Sequence, residues 1–257
     1  MGLYAIQSSR IHALDLAFLL YQCRGWRLDG SLWKIPLHWS RYHYSFLLAD
    51  MGGQNDSWRK TSVINKTMNI LIINGSPRKT GLLSQMLDMM REEAENRGEL
   101  VQTVYTNGLN INPCIGCMIC RTQGRCVLRE DDSQRVLKMI QEADAVIMGA
   151  PCYWGNIPGQ MKLLFDRIVY GMMRDTPRFP EPLMKGKKCI LLSTCTTPWP
   201  LNIWFKQSRG AIRAMREICR YSGFKIVATI ERGGVAMHPQ LSERDKHKCR
   251  KAIRSLR

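Results

Sequence analysis

The chain has 257 residues, 45% hydrophobic and 23% charged, a globular composition that excludes wholesale disorder and low-complexity architectures. Its 38 Lys and Arg against 21 Asp and Glu leave a formal charge of +17, dense only in the tail Glu243–Arg257, where seven basic residues face two acids. No apolar run approaches the ~20 residues of a membrane helix, and no zinc-finger or RNA-binding signature accompanies the basic tail, so neither a membrane span nor a nucleic-acid partner is expected.

Residues 1–67 hold four of the seven tryptophans (Trp26, Trp33, Trp39, Trp58) but no sustained helical or strand period. They are expected to be a poorly structured extension or the product of an early start-codon assignment. A docking segment anchored by Trp and Arg is the alternative. From Met68 onward, strand-like and helix-like segments alternate. Asn69–Ile73 reads as a buried strand and Gly75–Gly81 as a turn. Leu83, Met86, Leu87 and Met90 then form one face of a helix that ends near Gly98. Leu100–Tyr105 alternates as a half-buried strand, and Thr106–Cys126 is a cysteine-rich loop. Asp132 or Ser133 is the expected cap of a helix through Ala143. Ala145–Gly149 is the third strand, followed by a helix with Met161, Leu164, Phe165 and Ile168 inward. Cys189–Thr194 and Phe224–Ile230 are the last strands, separated by a helix carrying Ile212, Met215, Ile218 and Cys219.

This alternation predicts an α/β domain over 68–240, a three-layer doubly wound sandwich on a five-stranded parallel sheet, with a basic helical tail over 241–257. Such sheets bind ligands beyond the carboxyl ends of their strands. The segments there are therefore the candidate sites.

The first strand is followed by Asn-Gly-Ser-Pro-Arg-Lys-Thr-Gly-Leu-Leu-Ser, residues 74–84. Its helix start offers unpaired N–H groups and a positive dipole end to an anion. Ser76, Thr80 and Ser84 add hydroxyls and Arg78 a cation. Neither the G-x-G-x-x-G nor the Walker pattern fits. The third strand is followed by Pro151-Cys152-Tyr153-Trp154-Gly155-Asn156, in which Tyr153 and Trp154 offer an apolar face and the N–H groups of Gly155 and Asn156 offer donors to a flat heterocycle. Asp166 and Arg167 read as structural, with a surface ion pair as the plain explanation.

Cys114, Cys117, Cys120 and Cys126 are spaced C-x2-C-x2-C-x5-C. Three readings stand on these residues alone: an iron–sulfur cluster, thiols or a redox disulfide, and zinc. The x2–x2 run favours the cluster, since zinc sites usually pair two C-x-x-C hairpins. The other cysteines are scattered and expected to be plain thiols. Ten cysteines without a secretory leader point to a reducing compartment, hence a cytoplasmic location.

The strand–NGSPRKTG–helix segment resembles the phosphate loop of the flavodoxin-like NADPH-dependent FMN reductases, and the stretch from Pro151 to Lys162, Asp166 and Arg167 resembles their P-x-Y-W-G…K…DR run. The segment Pro113–Cys126 resembles the iron–sulfur flavoprotein branch of that family. The likeness spans about 68–239 with the three motifs in family order. It implies strand order 2-1-3-4-5, with FMN bound by Ser76, Arg78, Gly81, Leu82, Leu83, Ser84 and by Pro151, Cys152, Tyr153, Trp154, Gly155, Asn156. It implies a [4Fe–4S] cluster on Cys114, Cys117, Cys120 and Cys126. Leu82 and Leu83 stand where the family often has polar residues, so FMN retention is expected to be weaker. The loop Ser193–Trp199 matches the pyrimidine-side loop loosely. The implied function is an FMN-dependent NAD(P)H oxidoreductase, a homodimer or higher homo-oligomer, that passes electrons to an acceptor. The alternatives are a cluster-free NAD(P)H:FMN or quinone reductase and a non-enzymatic electron carrier.

Overall fold

Five strands run parallel in one sheet of the computed structural model, which describes residues 67–257. The reading of the N-terminal extension and its tryptophans lies outside the described residues. The strands are β1 (Asn69–Asn74), β2 (Leu100–Tyr105), β3 (Ala145–Pro151), β4 (Lys188–Thr194) and β5 (Lys225–Arg232). Their order is β2-β1-β3-β4-β5, as the resemblance implies. A two-residue antiparallel ribbon, Met173–Arg174 with Glu181–Pro182, stands apart from this sheet.

Alternate residues of each strand divide between two cores, which is why the central strands read as unbroken apolar runs. Ile70 and Ile72 of β1 pack with Met86, Leu87 and Met90 of α1 (Leu82–Glu95) and with Cys249 and Ile253 of α7 (Glu243–Arg254). Leu71 and Ile73 face the opposite layer. That layer is built from α3 (Asp132–Glu142), α4 (Gly159–Met172) and α6 (Gln207–Ser222), which contribute Val136, Ile140, Leu164, Ile168 and Met215. Each fully buried aliphatic side chain contributes about 1.5–3 kcal/mol. The C-terminal segment expected as a basic helical tail is therefore one wall of the sandwich. Its polar face is pinned by Arg232 Nε to Asp245 at 3.1 Å and Arg257 to Glu99 at 2.7 Å. Among the described residues no helix is long and apolar enough to cross a membrane.

The cysteine-rich stretch is more ordered than an open loop. After a 3-10 turn, Thr106–Gly108, it contains a short helix α2 (Ile119–Gln123), entered through left-handed Met118 at φ 62°. A second short helix, α5 (Leu201–Trp204), precedes α6. The cap of α3 is Asp131, not Asp132 or Ser133. The Asp131 carboxylate accepts the Ser133 N–H at 2.9 Å, and Gln134 Oε1 accepts the Asp131 N–H at 2.9 Å. Asp132 is drawn away to accept from the Asn110 N–H at 2.8 Å. Asp131 Oδ2 also accepts the Asn112 N–H at 3.0 Å, so the two aspartates close the neck of the cysteine loop.

Burial alone would raise the Asp131 pKa. Bonds from the Ser133 hydroxyl and the Asn112 and Ser133 amides, with the charge of Arg167, outweigh it and hold the carboxyl down at about 2, below the ordinary value of about 3.8. A group depressed on folding stabilises above its unfolded pKa and loses that contribution as pH falls through the folded one. Asp131 is therefore expected to supply about 2 kcal/mol at neutral pH that fades between about pH 4 and pH 2. Urea unfolding at pH 7, 4 and 2.5 checks this: the stability gap between wild type and Asp131→Asn should shrink as pH falls. A gap independent of pH would contradict it.

Candidate functional site

The strand order reverses beside β1, and the segments after β1 and β3 meet there at the carboxyl edge. Gly75 N–H bonds Gly149 O at 2.8 Å, latching the first loop to β3. A Cβ at Gly75 would lie 3.0 Å from both Gly149 O and Met161 Sδ, so a side chain there would crowd this approach.

Asn74, the last residue of β1, orders the loop. Its buried side chain accepts the Ser76 N–H at 2.8 Å and donates to Ser84 Oγ at 3.0 Å. Ser84 Oγ donates in turn to Arg78 O at 2.8 Å, and Ser76 Oγ accepts the Arg78 N–H at 3.1 Å. Ser76 and Ser84 thus shape the loop from within, while Arg78, Lys79 and Thr80 stand exposed at its tip. Leu82 and Leu83 are buried in the core, so they offer only backbone amides. The α1 N-terminus, reached through Gly81, carries no side-chain cap. Its first N–H groups are open to an anion.

In the loop after β3, Tyr153 and Asn156 exchange both backbone hydrogen bonds at 2.9 Å across a tight turn. Trp154 at φ 52° and Gly155 at φ 71° make that turn. The Asn156 N–H, expected as a ligand donor, is therefore engaged within the turn. The Gly155 N–H has no backbone partner among the described residues. Trp154 is fully exposed and Tyr153 half exposed. Cys152 donates its thiol proton to Gln207 O at 3.0 Å, and Gly155 sits so close to α6 that a Cβ on Gly210 would lie 1.8 Å from Gly155 O. Burial pushes the Cys152 thiol pKa up.

All four motif cysteines line one cavity of about 690 Å³, together with Asn156, Ile157, Arg167 and apolar residues of α4 and α6. Cys114 and Cys117 are exposed, Cys120 and Cys126 partly buried. Burial raises the Cys120 pKa, and repulsion from Cys126, Cys114 and Cys117 raises it further. Among the described residues no three Cys, His, Asp or Glu side chains converge tightly enough to grip a metal ion as they stand.

Arg167 is not the surface ion pair its neighbour suggests. Asp166 does pair with Lys162 on the exposed face of α4, but the Arg167 side chain is 0% exposed. Its guanidinium donates to Cys126 Sγ at 2.8 Å, to Asp131 Oδ2 at 2.9 Å and to Arg129 O at 3.3 Å. Buried polar atoms that lack a partner among the described residues include Arg167 Nε, Thr106 Oγ1 just past β2 and Ser193 Oγ near the end of β4. Such orphans gather where a ligand completes a site. Sequence reasoning missed Asn74, Asp131 and Arg167. The D-x-x-Q spacing of Asp131 and Gln134 was the available signal for the second.

Residues 68–199 match the family described as NADPH-dependent FMN reductase. An iron-sulfur flavoprotein of Archaeoglobus fulgidus is 40% identical over 120 residues, 47% of this chain and 51% of that protein. Another, from Methanosarcina thermophila, is 39% identical over 102 residues, 40% of this chain and 53% of that protein. This chain thus spans about half the length of the curated relatives it matches. The fold is similar to that of an FMN-dependent NADH-azoreductase from Bacillus anthracis solved in complex with FMN, with a TM-score of 0.59 at 14% identity over 73% of this chain and 99% of that one. With the family match over half of the chain and a 2-1-3-4-5 parallel sheet, the chain belongs to the NADPH-dependent FMN reductase family.

Proposed function

We propose that this protein is an FMN-dependent NAD(P)H oxidoreductase of the iron–sulfur flavoprotein type that passes electrons to a small-molecule or protein acceptor. The observation that carries the reading is the shared cavity: all four cysteines and Asn156 of the loop after β3 line the same space. A cluster site and a flavin site built from these segments would be neighbours.

The chemistry of the donor sets suits both groups. For FMN, the open first turn of α1 and the Asn74-ordered loop would hold the phosphate, with Arg78 adding charge from the tip. Gly155 N–H and the Asn156 side-chain amide would meet the ring edge, beside Pro151 and Cys152, and Tyr153 and Trp154 would flank the ring. For a [4Fe–4S] cluster, Cys114, Cys117, Cys120 and Cys126 are a four-thiolate donor set with a largely apolar surround. When bound, the flavin supplies two-electron exchange with NAD(P)H and the cluster supplies single-electron exchange. The protein's part is to orient, desolvate and stabilise charge.

Trp154, Trp199, Trp204 and Phe205 are all exposed on the segments after β3 and β4. Large apolar groups left open beside a binding site favour a covering partner, here a second copy of the chain. The nine described cysteines are free thiols, which fits a reducing, cytoplasmic setting.

An anaerobic absorption spectrum with iron and sulfide assays on the same sample tests the reading. Flavin bands over a broad cluster absorption with about four irons per chain are expected, together with NAD(P)H oxidation. No flavin and no binding of added FMN would overturn it. Asn74→Ala, which removes both bonds that order the loop, should weaken FMN binding about tenfold in a fluorescence titration. An unchanged affinity would sink that role for Asn74.

A further inference from the structure

We propose that Arg167 is a positioning residue for the cluster: anchored by Asp131, it donates one N–H to the Cys126 sulfur and so orients that ligand and stabilises charge on it. This rests on the cluster reading above.

The cations that line the cavity differ sharply. Arg121 is 52% exposed and pairs with Asp175 at 2.9 Å; Lys162 is 54% exposed and pairs with Asp166. Arg167 alone among them, at 0% exposed, is buried. A guanidinium presents five donors in a rigid fork. Here one Nη reaches Cys126 Sγ and the other reaches Asp131 and Arg129 O, while Nε is buried without a partner among the described residues. A cluster with four thiolate ligands presents an anionic, sulfur-rich surface that accepts such a donor.

Asp131 makes the arrangement specific. Its carboxylate fixes the guanidinium and also receives the Asn112 N–H, two residues before Cys114. Arg167 bonds the last cysteine of the motif. One buried pair therefore holds both ends of the ligand-bearing loop. Donors to cluster sulfurs favour the reduced, more negative state and raise the reduction potential.

The test uses the full chain purified anaerobically and reconstituted with ferrous iron and sulfide, as wild type, Arg167→Gln, Arg167→Lys and Asp131→Asn. FMN content and circular dichroism establish folding. The cluster potential is read by dye-equilibrated electron paramagnetic resonance, and iron loss by transfer to bathophenanthroline. Arg167→Gln should lower the potential and release iron about 10–100 times faster than wild type. Arg167→Lys, which keeps the charge but not the fork, should fall between the two, and Asp131→Asn should shift both readouts in the same direction. If Arg167→Gln does not fold, Arg167→Lys and Asp131→Asn decide. Folded variants with wild-type potential and iron release, changed only in melting temperature, would overturn the proposal and leave Arg167 a structural ion pair. A wild-type chain that takes up no iron would overturn it together with the cluster reading.

Discussion

Three parts of the chain meet at the carboxylate of Asp131. It caps α3, closes the neck of the cysteine loop on the Asn112 amide, and receives the guanidinium of Arg167 from α4. None of these contacts is strong in isolation. Their weight comes from burial: removing one partner of a buried ion pair leaves an uncompensated charge, at a cost of about 3–5 kcal/mol. The motif cysteines are partly exposed and lie on a segment with little core of its own. The shape of that segment is consequently fixed at its base, by polar bonds to packed helices.

The parallel sheet sets where the base sits. Each strand of a doubly wound sheet ends at the same edge, so every strand-to-helix loop is delivered to one side of the molecule. The loop after β1 is latched to β3 through Gly75, and the turn after β3 abuts α6 at Gly210. The cysteine loop returns to the sheet through α3, whose inner face packs with α4. From α4, Arg167 bonds the last of those cysteines. The third loop and the cysteine run, separated by tens of residues, thus border common space, and among the described residues the non-glycine positions at positive φ are Met118, Trp154 and Lys206.

Most of the fold was legible in the sequence because it rests on local pattern. Apolar runs such as Asn69–Ile73 and the 3.6-residue spacing of Leu83, Met86, Leu87 and Met90 need no knowledge of partners. The motifs were legible through spacing. The contacts that tune them were not, because they are tertiary. Arg167 lies 36 residues from Asp131 and 41 from Cys126. With Asp166 before it and Lys162 one turn away, it reads as part of a solvated charged face. Its position three residues after Leu164 and one before Ile168 placed it near the inner stripe of α4, a signal that its charge concealed. Asn74 hid for a related reason: a polar residue ending a buried strand reads as a boundary, yet it is 1% exposed and governs the loop that follows.

The turn at Trp154 shows how this edge balances strain against placement. A bulky residue at positive φ is disfavoured, by about 1–3 kcal/mol. Here the two Tyr153–Asn156 backbone bonds and the flexible Gly155 offset that cost. What the conformation achieves is direction. It points the indole fully into solvent while the chain on either side stays tied to the protein, through Cys152 to Gln207 and through buried Ile157 to the core. An exposed tryptophan has no stabilising role in the isolated fold, since its apolar surface gains nothing from water. The backbone bonds that offset the strain therefore also hold the indole in the open, where its apolar surface gains only by packing against another group.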